Sequence, residues 1–350
     1  MQVFDVVILG GGPAGCAAAL SLRHEEPALS VAILEASAYE EPRIGETLPP
    51  NIDALLVHLR VWDQFVASGP LEAFASRSCW GSPTVGENEF IFQKQGKGWH
   101  LDRRVFDRML ATEAERAGAH LFLNTRARDH HGGRFIIDAT GRNSSFAVEQ
   151  GARRLEADRL AGCFLFFDAP DSRPFDGPTL VEAFEHGWTY SAALPGGQLA
   201  AAIFSDSDIL RDLNIRTADC WIAALDRTPE TQKRLAQARP AGAPFTRSAA
   251  SRRLDIVAGE DWIAAGDAAS TFDPLSSQGI FKALRGGIFA SYAALDALRG
   301  DRTGVERYRR FVRDEYEEYL EIRAAYYAEE QRWPDAPFWK RRQMRVGAPV

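Results

Sequence analysis

The feature that most constrains the fold is a glycine pattern directly after a short apolar run near the start of the chain. The run, residues 4–9, predicts a strand buried on both faces, and an Ala-rich helix follows the glycines. In this context G-x-G-x-x-G suits a pyrophosphate: its glycines permit the tight turn, the approach of the ligand and close helix packing. The residues predicted to lie at the pyrophosphate are Gly10, Gly12, Pro13, Ala14 and Gly15.

An acid after the next strand completes the pattern. Residues 30–34 predict a second strand, and Glu35 follows Gly15 by about 20 residues, where a carboxylate can accept both hydroxyls of a ribose. An ordinary glycine turn is the alternative. It is disfavoured because strand, glycines, helix, strand and acid occur in the required order. The sequence therefore predicts a dinucleotide-binding, Rossmann-like α/β unit.

Length, charge and cysteine usage limit the classes of function. The 350 residues suffice for one large or two modest domains, and the net charge of -7 argues against nucleic acid as a partner. No apolar run reaches membrane-spanning length and no signal peptide precedes the first strand, so we expect no membrane partner and a cytoplasmic location. The cysteines lack C-x-x-C spacing and His130 and His131 lack further ligands, so neither a metal site nor a disulfide framework is expected.

Two later segments carry further candidate residues. Asp102 is a plausible N-cap for a helix running to about Ala117, which places Arg103 in the first turn. Because the helix dipole opposes a cation there, Arg103 should have an anionic partner such as a cofactor phosphate; a solvated arginine is the alternative. The sequence DATGR, residues 138–142, predicts a strand-to-turn element that brings Asp138 beside the cofactor.

The separate motifs resemble, in order, those of FAD-dependent monooxygenases with the glutathione-reductase-type FAD-binding fold. The motifs are GGGPAG with Glu35, Arg103 on its helix, DATGR, and GDAA followed by DPLSSQG. The resemblance covers nearly the whole chain and implies FAD as cofactor, with Glu35 at the adenosine ribose and Gly266 and Asp267 at the ribityl and pyrophosphate part. The helix that begins near Gly279 would point its positive end at the flavin ring. The other residues expected at FAD are Arg43, Pro274, Ser277 and Ile280.

The resemblance also implies the domains. An FAD-binding domain is expected over residues 1–73, 98–150 and 255–300, and an antiparallel-sheet substrate domain over 74–97 and 151–254. A C-terminal helix and tail would occupy 301–350. One departure is that residues 124–134 are too few for the β-meander usual in this fold. Only one G-x-G-x-x-G is present, so NAD(P)H would visit transiently or a reduced-flavin donor would supply electrons, with molecular oxygen as co-substrate.

Within this group, PRIGETLPP resembles the P-R-x-G-E signature of flavin-dependent tryptophan halogenases, and GWTYSAALP resembles their G-W-x-W-x-I-P. The reacting groups of that branch are missing. Ser276 stands where the halogenases have a glutamate, and the segment SCWGS, where their lysine should fall, contains none. Halogenation is therefore disfavoured by the sequence.

The chain is also similar to halogenase-like maturation flavoproteins of the LodB and GoxB type. SCWGS, GWHLDRRVFD, GWTYSAALP, FDPLSSQGI and the tail at residues 326–342 carry this similarity. It implies a monooxygenase that hydroxylates an aromatic, tryptophan-type substrate, in some cases a residue of a precursor protein. The alternative is a flavin-bearing partner protein that binds a precursor without turnover. The tail would serve docking, or pack as a strap over the FAD domain.

Three titratable residues are candidates for catalysis on segments expected near the flavin: Glu46, His100 and Asp273. Glu46 and His100 would transfer protons, although a structural role is an alternative for His100, and Asp273 would be catalytic or cap its turn. Arg43 would contact FAD or form a salt bridge within its loop. The aromatic residues that would line the substrate pocket, or else belong to the core, are Trp80, Trp99, Trp188 and Tyr190.

Overall fold

The computed structural model of the protein describes residues 3–90, 96–126, 132–169, 175 and 177–343. It divides into two compact units. The first unit contains Met1–Gly69, Asp102–Ala157 and Ser251–Glu317; the second contains Pro70–Leu101, Asp158–Ala250 and Glu318–Val350. The residues expected as a separate C-terminal helix and tail are thus divided between the two units after Glu317.

The first unit is built on a five-stranded parallel sheet. Its elements in chain order are β1 (Phe4–Leu9), α1 (Pro13–Glu25), β2 (Val31–Leu34), β3 (Thr47–Leu48), α2 (Ile52–His58), α3 (Trp62–Ala67), α4 (Arg103–Arg116), β8 (His120–Phe122), β9 (Gly133–Asp138), α5 (Ser145–Glu149), β10 (Arg154–Glu156), β16 (Arg252–Leu254), β17 (Trp262–Ala264), β18 (Ser270–Thr271) and α9 (Gly279–Leu298). The helix α10 (Thr303–Glu329) begins in it.

The strands of the parallel sheet follow the order β17-β9-β1-β2-β8. Val6 pairs with Val31 on one side and with Phe135 on the other, so the glycine-terminated strand β1 is central. Its residues are buried on both faces, as the continuous apolar run predicts. A separate three-stranded sheet has the order β10-β16-β18. Residues 151–157, expected in the substrate domain, belong to the first unit because β10 pairs with β16.

The elements of the second unit in chain order are β4 (Leu71–Ala73), β5 (Ala75–Cys79), β6 (Gly86–Glu89), β7 (Gly98–His100), β11 (Leu160–Asp168), β12 (Thr179–Phe184), β13 (Gly187–Leu194), β14 (Gln198–Asp206), α6 (Ser207–Leu213), α7 (Ala218–Ala223), α8 (Pro229–Leu235), β15 (Arg239–Ser248) and α11 (Pro337–Gln343). Seven of these strands form one sheet in the order β15-β11-β14-β13-β12-β5-β6. All neighbouring strands of the large sheet are antiparallel except β12 and β5. The predicted fold class, a Rossmann-like unit with an antiparallel-sheet unit and C-terminal helices, is confirmed.

The pairing of short strands explains where the boundaries differ from the prediction. Residues 70–73 and 98–101, expected in the FAD-binding domain, lie in the second unit because β4 pairs with β7. Pro229 is the first residue of α8, a position that proline suits because the first helical turn needs no backbone donor from it. The core of the second unit includes Phe167, Phe184 and Trp221, which α6, α7 and α8 help to cover.

The tail packs as a strap, but on the antiparallel sheet of the second unit. Phe338 and Trp339 on α11 are fully buried, and Trp339 Nε1 donates to the carbonyl oxygen of Phe184 on β12 at 2.9 Å. Arg342 reaches Asp206 Oδ1, at the end of β14, at 2.7 Å. The expectation of a strap over the FAD-binding domain is therefore corrected: the aromatic side chains of the tail complete the core of the other unit.

Asp102 caps α4, as the sequence predicts. Its Oδ1 accepts a hydrogen bond from Arg104 N at 2.8 Å, and the helix ends at Arg116. Replacing Asp102 by alanine should lower the free energy of unfolding by about 1 kcal/mol, whereas asparagine should keep the cap and cost only a few tenths. Urea unfolding of the two variants measures this difference. Equal losses in both would contradict a capping role.

The statements that follow on metal ligands and membrane-spanning helices refer to the described residues. His130 and His131 lie outside the described residues. Among the residues that are described, no group of three or more His, Cys, Asp or Glu could hold a metal ion. The four cysteines are free thiols. Within the same ranges, none of the helices combines the length and the apolar character needed to cross a bilayer.

Candidate functional site

The glycine loop after β1 combines tight packing with one open position. A Cβ added at Gly10, whose φ is +108°, would lie 2.3 Å from the carbonyl oxygen of Ala139, and one added at Gly15 would lie 1.9 Å from that of Gly10. A Cβ at Gly12 would meet nothing within 4 Å. Gly12 also precedes α1 without a side-chain cap, and Pro13 follows it. Free amides at an uncrowded helix N-terminus suit a phosphate group, so the loop fits the predicted pyrophosphate.

Glu35 is held against this loop by hydrogen bonds. It is 7% exposed; its Oε2 accepts from Gly11 N at 2.8 Å and its Oε1 accepts from Ser37 N at 3.1 Å. Tyr39 donates its hydroxyl to the carbonyl oxygen of Gly11 at 2.8 Å. The acid is therefore oriented before any ligand binds. A carboxylate oxygen has two lone pairs, so Oε2 retains acceptor capacity for a ribose hydroxyl.

Arg43 forms salt bridges, which the sequence analysis gives as the alternative to a contact with FAD. Its guanidinium lies 3.0 Å from Glu35 Oε1 and 2.8 Å from Asp107 Oδ2. Burial alone would lower the pKa of Arg43, but the charges of Asp107 and Glu35 raise it above its usual value. Arg43 is thus a bridge between the end of β2 and helix α4.

Arg103 has an anionic partner, as the dipole argument requires, but the partner is Asp107 one turn along α4. The two side chains meet at 3.0 Å, and Arg103 Nη1 also donates to the carbonyl oxygen of Ile44 at 2.7 Å. Asp107 is fully buried and serves both Arg43 and Arg103. Sequence reasoning missed Asp107, although its spacing of four residues from Arg103 on a predicted helix was a usable signal.

Glu46, in the Pro- and Gly-rich loop, is a buried carboxyl group of the first unit. Its side chain is 3% exposed, and Oε1 has no hydrogen-bond partner among the residues that the structure describes. Burial raises its pKa to about 7, against the opposing effect of backbone amides and Arg103. A carboxyl group that titrates near neutral pH can accept or donate a proton at little cost.

Asp138, at the end of β9, is fully buried and ties the strand to the following turn. Its Oδ1 accepts from Thr140 N at 3.0 Å, and its Oδ2 accepts from Ala147 N at 2.8 Å. These bonds orient the DATGR element. Asp138 therefore shapes the backbone next to Gly10, where the sequence predicts a cofactor contact.

Asp267 lies between two cations. Gly266, with φ +61°, brings the backbone so close to α1 that an added Cβ would lie 2.6 Å from Ala14 Cβ. Lys282 Nζ is 3.2 Å and Arg142 Nε is 3.9 Å from the carboxylate of Asp267. Burial alone would raise the pKa of Asp267, but Lys282 and Arg142 lower it below the usual value.

Lys282 is a residue that sequence reasoning missed. It is 2% exposed on α9, and its Nζ lies 5.0 Å from the ring centroid of Phe272 and donates to the carbonyl oxygen of Ser270. The available signal was a lysine within the apolar first turns of a predicted helix. A buried ammonium needs a carboxylate partner, which Asp267 supplies.

The segment before α9 leaves the start of that helix open. Asp273 is 1% exposed, and its Oδ1 accepts a hydrogen bond from Leu275 N at 3.0 Å. It therefore caps the turn Pro274–Ser276, which is the role that the sequence gives as the alternative to catalysis. Ser277 adopts φ +50°. A Cβ added at Gly279 would meet nothing within 4 Å, and α9 has no side-chain cap. Ile280, by contrast, is buried.

His100 lies in the second unit and is fully buried, with Nε2 2.8 Å from the carbonyl oxygen of Gly177. Burial lowers its pKa from 6.5 to about 4. The imidazole is therefore neutral at physiological pH and donates a structural hydrogen bond. This contact is the structural alternative that the sequence left open for His100.

The pH dependence of stability tests this placement of His100. The unfolded chain binds a proton near pH 6.5, while the folded chain binds it only near pH 4. Folding stability should therefore fall as the pH drops from about 6.5 to about 4, by up to about 1.4 kcal/mol per pH unit from this group. The His100→Gln variant should lack this contribution. Parallel profiles of unfolding free energy against pH for the two proteins would contradict the prediction.

The aromatic residues expected at a substrate pocket are engaged within the second unit. Trp188 is 1% exposed, stacks on Phe204 with centroids 4.1 Å apart and donates to the hydroxyl of Tyr327 at 3.1 Å. Trp80 donates to the carbonyl oxygen of Tyr326 at 2.7 Å. Trp99 is buried as well, whereas Tyr190 is partly exposed. Trp188 and Trp99 thus lie in the core, which the sequence analysis gives as the alternative to lining a substrate pocket.

The glycine loop, the buried acids and the two kinds of sheet are typical of a nucleotide-binding protein. Comparison with known proteins identifies its family. The chain matches the model of the tryptophan halogenase family over residues 5–92 and 71–349, and it belongs to this family. The resemblance inferred from the motifs is confirmed.

Individual relatives match most of the chain. LodB of Marinomonas mediterranea, named as an FAD-dependent oxidoreductase, is 28% identical over 368 residues, which are 98% of this chain and 97% of LodB. The 1H-pyrrole-2-carbonyl-[peptidyl-carrier protein] brominase of Pseudoalteromonas luteoviolacea is 24% identical over 85% of this chain and 79% of its own.

Among solved structures, the myxobacterial chondrochloren halogenase CndH superposes with a TM-score of 0.87 at 22% identity, covering 99% of this chain and 87% of its own. The peptidyl tryptophan dihydroxylase QhpG, described as essential for tryptophylquinone cofactor biogenesis, has a TM-score of 0.78 at 23% identity. That match covers all of this chain and 80% of QhpG. These similarities show the fold.

Proposed function

We propose that the protein is an FAD-dependent monooxygenase that hydroxylates a tryptophan-type aromatic ring, carried by a precursor protein during maturation of a quinone cofactor. The observation that carries this proposal is the carboxyl group of Glu46, which is 3% exposed and whose Oε1 has no hydrogen-bond partner among the described residues; burial raises its pKa to about 7, which suits a proton acceptor. The similarity to LodB over nearly the full length of both chains and the fold shared with QhpG support it. FAD, once bound and reduced by NAD(P)H or a reduced-flavin donor, supplies the electrons with which molecular oxygen is activated.

The residues of the first unit fit this cofactor. The open backbone at Gly12 and the uncapped start of α1 would hold the pyrophosphate, and the free lone pair of Glu35 would accept a ribose hydroxyl. Asp267, fixed by Lys282, would bind the ribityl hydroxyls. The uncapped N-terminus of α9 would stabilise negative charge on the flavin ring.

Glu46 would act on the substrate. Hydroxylation replaces a ring C–H by C–OH and delivers the second oxygen atom to water, with two electrons from the donor. A base must remove the displaced ring proton. Glu46, half ionised near pH 7, can accept it, whereas the neutral and hydrogen-bonded His100 is poorly suited.

Turnover with a candidate precursor tests the proposal. The purified, FAD-loaded protein is given a reductant under air, with and without free tryptophan or a quinoprotein precursor. Hydroxylation predicts that the precursor stimulates reductant consumption and gains the mass of oxygen. Binding without turnover would favour the flavin-bearing partner protein. Incorporation of bromide or chloride in place of oxygen would instead indicate a halogenase.

A further inference from the structure

A cavity in the first unit has no part in the chemistry proposed above. It has a volume of about 500 Å³, within the range usual for small-molecule sites, and it lies between residues 253–257 and residues 306–313 of α10. The first of these segments ends β16 and enters the loop that follows it. Both segments belong to the first unit. The cavity is therefore large enough for a small ligand, and its lining indicates which kind.

Part of the lining is apolar. Leu254, Val257 and Val312 are at most 9% exposed, whereas Ile256 has 47% of its surface exposed. Because burial of apolar surface is favourable, an isoleucine left exposed beside buried aliphatic side chains gives the apolar part of a ligand a place to bind. The cavity thus favours a ligand with an apolar body.

The remaining lining side chains are charged, and arginines outnumber acids among them. The acids are Asp255 and Glu306, and the arginines are Arg253, Arg309, Arg310 and Arg313. Residues three or four positions apart on a helix lie on one face, so Arg310 and Arg313 share a face of α10. The lining is thus rich in arginine although the net charge of the whole chain is -7.

Both acids of the lining are already engaged by arginines. Asp255 Oδ2 lies 2.8 Å from Arg153 Nε, and Glu306 Oε1 lies 2.7 Å from Arg309 Nη1. Arg309 Nη2 also donates to the carbonyl oxygen of Ala258 at 2.7 Å, which ties the loop after β16 to α10. The acids are therefore poor partners for a cationic ligand, and the two walls of the cavity are held together.

Two of the lining arginines are available to an anion. Arg313 is paired with Asp314 at 2.8 Å. Within the described ranges, by contrast, no ion pair or side-chain hydrogen bond engages the half-buried Arg253 or the exposed Arg310. A guanidinium offers two parallel N–H donors to a carboxylate. Arg253 and Arg310, one from each wall, thus suit a negatively charged group.

We propose that this cavity binds a small organic carboxylate with an apolar body. Arg253 and Arg310 bind the carboxylate, and the apolar body packs on Ile256 and the aliphatic side chains beside it. A cationic ligand would be repelled by the arginines, and a purely inorganic anion would leave Ile256 in water. The proposal does not rest on the proposed function, because binding here requires neither turnover nor an aromatic substrate.

Three probes separate the contribution of charge from that of apolar surface. Hexanoate, acetate and hexanamide are titrated into the FAD-loaded protein at low salt, and binding is followed by ligand-observed NMR. Hexanoate carries both a carboxylate and an apolar chain, whereas acetate lacks the chain and hexanamide lacks the charge. Hexanoate should therefore bind at least about tenfold more tightly than either of the other two.

Variants of the two arginines locate the binding. Arg253→Gln should weaken hexanoate binding roughly tenfold, as expected for a charge-assisted hydrogen bond, and Arg310→Gln, at an exposed position, about threefold or more. Both variants should bind hexanamide within about twofold of the wild-type protein. The matched control is Arg307→Gln, which removes the same charge from an exposed side chain of α10 outside the lining. Its affinity for hexanoate should change less than about twofold.

Several results would overturn the proposal. Hexanoate may not saturate the wild-type protein, or Arg253→Gln and Arg310→Gln behave like Arg307→Gln; either shows that the lining arginines bind no carboxylate. Hexanamide binding as tightly as hexanoate leads to the same conclusion, and acetate binding as tightly as hexanoate removes the apolar body from the ligand. Should Arg253→Gln fail to fold, Arg310→Gln decides by the same titrations, because its side chain is exposed and its loss leaves the core intact.

Discussion

Replacing Glu46 by glutamine is expected to remove most of the turnover. Glutamine keeps the size of the side chain but cannot accept a proton. A positioned general base contributes typically about 10²–10⁴-fold, so kcat should fall by roughly that factor. In the wild-type protein the rate should rise through pH 7 as Glu46 ionises, since the ionised form is the active one. The variant should lack this rise. Steady-state rates between about pH 5.5 and about pH 8.5 measure both effects, because this range extends more than one pH unit on each side of the pKa of Glu46.

The same variant should be more stable than the wild-type protein above neutral pH. The pKa of Glu46 is raised from 4.5 to about 7 in the folded state. A raised pKa contributes stability that is fully present below pH 4.5 and is lost as the pH rises through 7. At higher pH the wild-type protein carries a buried charge that Glu46→Gln lacks. Urea unfolding should therefore show the variant gaining stability with rising pH relative to the wild type.

Two variants in the same loop and site serve as controls for Glu46. Glu41→Gln removes a charge from an exposed side chain in the same loop and should change neither rate nor stability appreciably. Glu46→Asp keeps a carboxyl group at a shorter reach and should restore part of the pH-dependent rate. A Glu46→Gln protein that retains the wild-type kcat would show that Glu46 is not the base.

The sequence predicts the parts of the fold that depend on local chemistry. The central strand β1 follows from a continuous apolar run, and the fixed spacing of the glycine loop and Glu35 brings Gly11 N within 2.8 Å of Glu35 Oε2. Asp102 caps α4 because a short acidic side chain reaches the first turn of its own helix. Such features need no knowledge of distant residues.

The parts that were missed depend on pairing between distant segments. The ion pairs Arg43–Asp107 and Lys282–Asp267 cannot be predicted from the periodicity of the sequence, because the two partners of each pair come from different elements. The tail is a similar case. Its aromatic residues indicate burial, but only the fold shows that Trp339 completes the core of the antiparallel sheet. Long-range packing decides such contacts.

Neutralising Asp107 is expected to have the largest effect on stability. Asp107 is fully buried and accepts from Arg43 at 2.8 Å and from Arg103 at 3.0 Å. Asp107→Asn leaves two arginines facing an amide that carries no charge. Removing one partner of a buried ion pair costs roughly 3–5 kcal/mol, because here Arg103 loses its carboxylate partner and Arg43 keeps only Glu35. Urea unfolding measures this loss. The control Asp314→Asn breaks an exposed pair with Arg313 and should cost at most about 1 kcal/mol.

The consequence for the cofactor separates Asp107 from a purely structural acid. Arg43 is held between Asp107 and Glu35, so loss of Asp107 frees Arg43 to pair with Glu35 alone. A stronger Arg43–Glu35 pair would compete with the ribose for the carboxylate. We therefore expect Asp107→Asn to bind FAD more weakly even in conditions where it is fully folded, as titration by flavin fluorescence would show. A free energy of unfolding of Asp107→Asn within about 1 kcal/mol of that of the Asp314→Asn control, together with unchanged FAD affinity, would contradict this role. A loss of stability with unchanged affinity would confine Asp107 to the folding of the loop, because Glu35 would then be oriented by Gly11 and Ser37 without help from the arginine.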